Sequence, residues 1–483
     1  MNVRIVPWAL GAAALLIMLA WSWSPSLWGD ELATLKAVTS FDTLVETLRR
    51  RDIVFLPYYL LMYGWTRLGG TADWWVRLPS ALGMAVATGM LADLGRRIGG
   101  AKAGAVAGVT LLLLPSISRF GQETRPYALA VAAAVFSFWA LHRAERGDGG
   151  WPVYAVSVAL LPCAHLFAVL VLPGHLVLTR RCVPWMAVGS PPALALAWLS
   201  AGQIEQVGWL ARPGWEDFVL LRSTASAWQP ATDPGHFLAL VSGWLIVAGA
   251  LAGLWRRMAV GERMDGEPVD GGSLRLRLGL GVWGAAPTAI LYAASYLATP
   301  VYASRYVLVA APAFVLLLGL SRVRFLVVAA CVPLVLLPQV QSRLPEGHEV
   351  QYREAAGIVE DGERPDDQII FAAAWSREGL RHYGRMPQDV KQDRPVSARV
   401  WLIRDDAERL TPAAVPQVRR LSALGHVARR MWRLRGVTVI LLEQPRPGEP
   451  GEPSEGRAFS GGRNRPRGTS GRPVRPDGPR RRR

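Results

Sequence analysis

Apolar runs separated by arginine-bearing breaks limit this chain more than any other feature. Such runs lie near 5–23, 75–95, 102–117, 127–142, 152–164, 166–179, 184–200, 236–255, 278–298, 306–320 and 325–341. A bilayer core of ~30 Å takes about twenty apolar residues at 1.5 Å each. Backbone polar groups inside it must be satisfied internally, which leaves helices as the form for such runs. The expectation is an all-α polytopic membrane protein with about eleven transmembrane helices. The 20 Trp fit that reading, since Trp favours the membrane–water interface. The first run has no small-residue cleavage site after it and reads as a retained helix rather than a signal peptide.

Arginines give an orientation. Pairs at Arg96/Arg97, Arg143/Arg146, Arg180/Arg181, Arg256/Arg257, Arg275/Arg277 and Arg322/Arg324 fall at every second break. With positive residues inside, the N-terminus is cytoplasmic, and loops 24–74, 118–126, 201–235 and 299–305 lie outside with everything after 342. The alternation survives only if 152–179 is broken, and Pro162 and His165 mark the break. The segment 52–65, DIVFLPYYLLMYGW, breaks the alternation if it spans, so it reads as an interfacial or partly re-entrant helix. The net charge of +17 follows this pattern and a basic tail, so lipid headgroups explain it and nucleic acid is not implied. Cys163, Cys182 and Cys331 lie in or beside apolar runs without metal-ligand spacing.

Past residue 342 the character changes. The stretch EVQYREAAGIVEDGERPDDQIIFAAAW reads as a helix, a turn and the short strand Ile369–Ala373. RVWLIRD and GVTVILLEQ read as further strands, and 376–383 and 412–423 are helix-like. These predict three parts: a transmembrane domain over 1–341, a small extracytoplasmic α/β domain over 342–444, and a disordered Pro/Gly/Arg-rich tail over 445–483.

The polar groups of the outer loops collect on one membrane face. They include Asp30, Glu31 and Asp52 in the first loop, Gln122, Glu123, Arg125 and Tyr127 in the second, His165 at the break, and Tyr302 and Arg305 near the end. Ionisable groups at membrane depth are costly and point to a site. Arg125 and Arg305 suit an anion such as phosphate. A carboxylate such as Asp30 suits proton removal from a hydroxyl. The bland alternatives are a helix cap for the acids, snorkelling for the arginines, and interface anchoring for the tyrosines. Adjacent acids also leave a divalent cation open as a cofactor, without a clear ligand cluster.

The ordered set LWGDE, WWVRLPSALG, GRRIGG, GQETRPYAL, SRYVL and YREAAGIVEDGERPDDQIIF resembles bacterial membrane glycosyltransferases of the GT-C superfamily. The nearest branch holds protein mannosyltransferases and the aminoarabinose transferase of lipid A, which is similar to glycosyltransferase family 39. The resemblance implies an inverting enzyme of the bacterial plasma membrane. It would move a sugar, mannose among the candidates, from a polyprenyl-phosphate carrier to a glycan, lipid or protein acceptor. It places the base at Asp30, with Glu31 beside it, and carries substrate contacts over to Glu123 and Arg125. Many relatives have a His-containing stretch where this chain reads VFLPYY, which departs from the pattern. A lipid or polysaccharide transporter would show paired repeats with broken helices, and none is evident. A non-catalytic scaffold would have no use for the carboxylate–arginine set.

The orientation has a direct test. A single cysteine placed within 342–444 should react with an impermeant thiol reagent in intact cells; protection would invert everything after the 152–179 break.

Overall fold

The computed structural model describes residues 5–214, 234–260, 271–372, 374–384, 396–405 and 416–445. The expected tail therefore lies outside the described residues. The chain is mainly helical, and a four-stranded sheet closes its C-terminal part.

The first helix, α1 (Val6–Leu19), packs along α5 (Asp73–Leu113). Three short helices lie between them: α2 (Gly29–Ala37), α3 (Phe41–Thr47) and α4 (Leu56–Gly69). The segment 52–65, read as interfacial, starts at the last residue of a π turn (Leu48–Asp52) and runs through a 3-10 turn at Ile53–Phe55 into α4.

The 41-residue α5 is a helical hairpin. It leaves helical geometry at Gly99 and at Gly100, whose φ of 79° favours glycine. The limbs then run back against each other. A Cβ on Gly95 would meet Gly104 Cα at 2.9 Å, and one on Gly104 would meet Ala92 O at 2.3 Å. Close packing of small residues replaces the hydrophobic drive that lipid cannot supply. The motif GRRIGGAKAG is a turn and a contact surface together.

After α6 (Pro115–Gly121) and α7 (Tyr127–Glu145), α8 (Trp151–Ala164) ends where His165 adopts extended geometry, φ −163° and ψ 131°. A 3-10 turn and α9 (Leu172–Leu178) follow. The chain therefore breaks at the Pro162/His165 pair. Next come α10 (Val183–Gly189), α11 (Pro191–Ser200), α12 (Pro234–Val260), α13 (Gly271–Leu297), α14 (Ala311–Gly319) and α15 (Arg324–Gln341). Among the described residues five helices are long and apolar enough to cross a membrane, or six if a pair bent by 56° at Ser190 is one span. Four more apolar helices are shorter.

The last part comprises α16 (Tyr352–Gly362), β1 (Gln368–Phe371), α17 (Ala374–Tyr383), β2 (Arg399–Asp405), α18 (Pro416–Ala423), β3 (Val427–Leu434) and β4 (Val437–Glu443). The order is β1-β2-β4-β3, with β1 and β2 parallel and the rest antiparallel. Apolar β2 and β4 are central and buried. β3 was not expected from the sequence. It is an edge strand whose arginines 429, 430 and 433 hide the alternation, and such charge protects an open edge.

One hydrophobic cluster fills the bundle, from Met18 and Leu91 through Phe138 and Trp283 to Leu317. A second joins the short helices to the C-terminal part: Leu27, Leu32, Leu44 and Tyr58 share it with Tyr352, Leu380, Trp401 and Val439. The α/β part and the first long loop thus share one core.

The hairpin sets an expectation for substitution. Gly104→Val should lower thermal stability by ~1–3 kcal/mol or more through overpacking. Gly357→Ala, where an added Cβ meets nothing within 4 Å, should be neutral or slightly stabilising. Fluorescence-detected size-exclusion after heating measures both, and equal melting of the two variants would remove the hairpin contact.

Candidate active site

The site is built on the first turn of α2. Trp28 precedes it in extended geometry, and its N–H donates to Glu31 Oε2 at 3.3 Å. Acidic residues in a first turn satisfy open N–H groups and oppose the helix dipole. Asp30 and Glu31 are neighbours, so on a helix their side chains diverge by about 100°.

Glu31 turns inward and is fully buried. Arg77, from the head of α5, meets it with two bonds: Nε to Oε1 at 2.9 Å and Nη2 to Oε2 at 2.7 Å. The Thr124 N–H also donates to Oε1, at 2.7 Å. Arg77 spends its remaining donors on the carbonyls of Ser22, Pro25 and Ser26. Burial alone would raise the Glu31 carboxyl, but the Arg77 charge and its hydrogen bonds outweigh it and hold the group well below the carboxylate range. His348 lies beside both, 3.3 Å from Arg77 Nη2 and 2.9 Å from Arg119 Nη1. Burial, then the charges of Arg119 and Arg77, push this imidazole far down, so it is neutral and accepts from the guanidiniums.

Asp30 faces the other way and keeps 31% of its side chain exposed. Its Oδ2 lies 3.8 Å from Arg125 Nη2 and 3.6 Å from Arg305 Nη2. Both guanidiniums are buried and backed by aromatic rings. Arg125 lies over Phe55 at 4.8 Å, and Arg305 over Trp209 at 5.3 Å and Tyr306 at 5.8 Å. Such faces hold a cation while leaving its N–H edge for an anion. Tyr127, His165 and Tyr306 pack together beneath, with centroids 5.1 to 6.3 Å apart. Arg125 also donates to Thr34 Oγ1 at 3.3 Å, one helical turn from Asp30.

Asp52 accepts from Tyr59 Oη at 3.0 Å and from Gln206, and burial raises its carboxyl. Glu123 is buried and accepts from the Trp28 indole. Its surroundings push it up to about 7, chiefly by burial, against the pull of Arg119. Glu349 is pushed up to about 8, again chiefly by burial.

The structure therefore brings Asp30, Arg125, Arg305, Tyr127 and His165 together, with Asp52 and Glu123 close by. It turns one candidate elsewhere. Gln122 is buried and donates to the carbonyls of Met18 and Ala20, where it ties down the end of α1. Tyr302 packs with Leu291 and Val307 in a cluster that also takes in Tyr306. The adjacent acids point at different arginines, and no group of three or more His, Cys, Asp or Glu among the described residues has the arrangement for a metal ion.

Sequence reasoning did not single out Arg77, His348 or Glu349. An arginine four residues into an apolar helix was the available signal for Arg77. Nothing local marks the other two, because the last long helix carries them back to the first loop.

Residues 55–190 match the family model described as dolichyl-phosphate-mannose-protein mannosyltransferase. No curated protein matches the chain. The fold is similar to that of ArnT from Cupriavidus metallidurans in its apo state, with TM-score 0.51 and 14% identity over 90% of this chain and 97% of that one. The structure of ArnT from Cupriavidus metallidurans bound to undecaprenyl phosphate is similar with TM-score 0.50 and 13% identity, over 90% and 97%. These findings support the resemblance to the GT-C superfamily.

The two acids are separable by experiment. Breaking a buried ion pair from one side costs ~3–5 kcal/mol, because the other charge stays buried. Glu31→Ala should therefore lower melting sharply or abolish folding in detergent, and Asp30→Asn should melt close to wild type. Equal stability of the two variants would contradict the division of roles.

Proposed function

We propose that this chain is a multi-pass membrane glycosyltransferase of the GT-C type that takes its sugar from a polyprenyl-phosphate carrier. The observation that carries the reading is the half-exposed Asp30 carboxylate set between two buried arginines. The family match and the fold similarity to an ArnT structure holding undecaprenyl phosphate support it.

The chemistry follows from the charges. Arg125 and Arg305 hold the donor phosphate. Asp30 takes the proton of an acceptor hydroxyl as that oxygen bonds to the anomeric carbon. The bond from that carbon to the phosphate oxygen breaks, and polyprenyl phosphate leaves with its charge held by the arginines. One displacement inverts the anomeric centre. In our reading the sugar is a monosaccharide, mannose first among candidates, and the acceptor is an envelope glycan, lipid or protein. Tyr127 and His165 line the donor side, and Asp52 and Glu123 flank the base.

We read the two limbs of the α5 hairpin as separate passes. With the short apolar helices and the bent pair, this gives eleven. The N-terminus is then cytoplasmic, and the α/β part of 342–444 lies outside the plasma membrane with the site.

Membranes containing the protein should transfer label from one member of a panel of radiolabelled polyprenyl-phosphate sugars. No transfer from any member would remove the donor class. General-base help is worth about 10²–10⁴-fold, so Asp30→Asn should lose about that much turnover while still binding donor. Arg125→Ala should weaken donor binding more than Arg125→Lys, because Lys keeps charge and loses paired donors. Unchanged donor affinity in Arg125→Ala and Arg305→Ala would take both out of the site.

A further inference from the structure

Asp73 and Arg77 stand four residues apart at the head of α5, on one helix face. Arg77 holds Glu31. Asp73 is met from the C-terminal part by three side chains: Arg353 Nη2 at 2.5 Å, Tyr383 Oη at 2.7 Å and His382 Nε2 at 3.1 Å. Tyr383 Oη donates to Asp73 and also accepts the Leu27 N–H at 2.6 Å. Leu27 lies three residues before Asp30. Arg353 grips the same stretch, donating from Nη1 to Ser24 O at 2.7 Å and from its backbone N–H to Ser26 Oγ at 3.1 Å. The chain that enters α2 is thus held by its backbone from the α/β side.

Asp30 depends on that hold. Its contacts to Arg125 and Arg305, at 3.6 to 3.8 Å, are longer than hydrogen bonds. The position of its carboxylate is set by the backbone of α2. Glu31 pins that turn at one point, and a second point is needed to stop it pivoting.

We infer that Tyr383, braced by Asp73, is a positioning residue for Asp30, so that the C-terminal part completes the active site it covers. The inference rests on Asp30 being the base. A base displaced by about 1 Å can lose up to about 10²-fold in rate. Tyr383→Phe removes the hydroxyl and nothing else, and Asp73 keeps Arg353 and His382.

The test uses full-length enzyme in detergent and the polyprenyl-phosphate sugar most actively transferred in the panel. Rates are taken per folded protein by size-exclusion. We expect kcat to fall about tenfold in Tyr383→Phe, within the range for such displacement, with the donor KM within about twofold. In an Asp30→Asn background the same substitution should cause no further fall, since two residues acting through one group do not add. Normal kcat per folded molecule in Tyr383→Phe, with Asp30→Asn inactive, overturns this inference alone. So does an equal fractional loss in both backgrounds, which would place the effect elsewhere. Wild-type turnover in Asp30→Asn overturns the base assignment, and this inference with it.

Discussion

The buried pair of Glu31 and Arg77 is the contact on which the rest of the site depends. Both side chains are almost wholly removed from solvent, and their closest approach is 2.7 Å. Removing two charges from water costs several kcal/mol per ion, which only close geometry and further hydrogen bonds repay. Here those bonds come from the backbone of Trp28 and Thr124 to the acid, and from the arginine to three carbonyls before α2. One pair thus ties together the exit from α1, the start of α2, the head of α5 and the loop before α7. Segments distant in sequence are brought together at one point.

With Glu31 held, helical geometry decides where Asp30 goes. The next side chain along a helix turns through about 100°, and that rotation moves Asp30 from the buried pair toward Arg125 and Arg305. Two adjacent acids therefore have different fates, one in a low-dielectric ion pair and one half exposed. The same contrast appears in Glu123 and Glu349, which lack a close bidentate partner and are pushed up to about 7 and about 8, chiefly by burial.

The α/β part belongs to this scheme as much as the bundle does. Its core is continuous with that of the short helices, through Tyr352 and Leu380 on one side and Leu27 and Leu32 on the other. His348 reaches back into the pair of Glu31 and Arg77, and Lys36 on α2 meets Glu378 at 2.9 Å. Packing of this kind turns a long first loop into a rigid mount, which suits a group that must be placed accurately.

The sequence by itself determined the apolar helices, the break at Pro162/His165, the α/β character after 342, and the short list holding Asp30, Arg125 and Arg305. These are local properties: hydropathy over a span, proline and histidine at a break, period-two strands, and charge where charge is expensive. The edge strand β3 was hidden because its arginines mask the alternation. The resemblance pointed to Asp30 rather than Glu31, but the physical reason for that choice is Arg77, forty-six residues from Glu31. The turning of Gln122 to the end of α1 and the return of His348 and Tyr383 to the first loop are likewise products of packing. They arise from contacts between segments up to about 350 residues apart in the chain, as between Leu27 and Tyr383, and only the tertiary structure decides those.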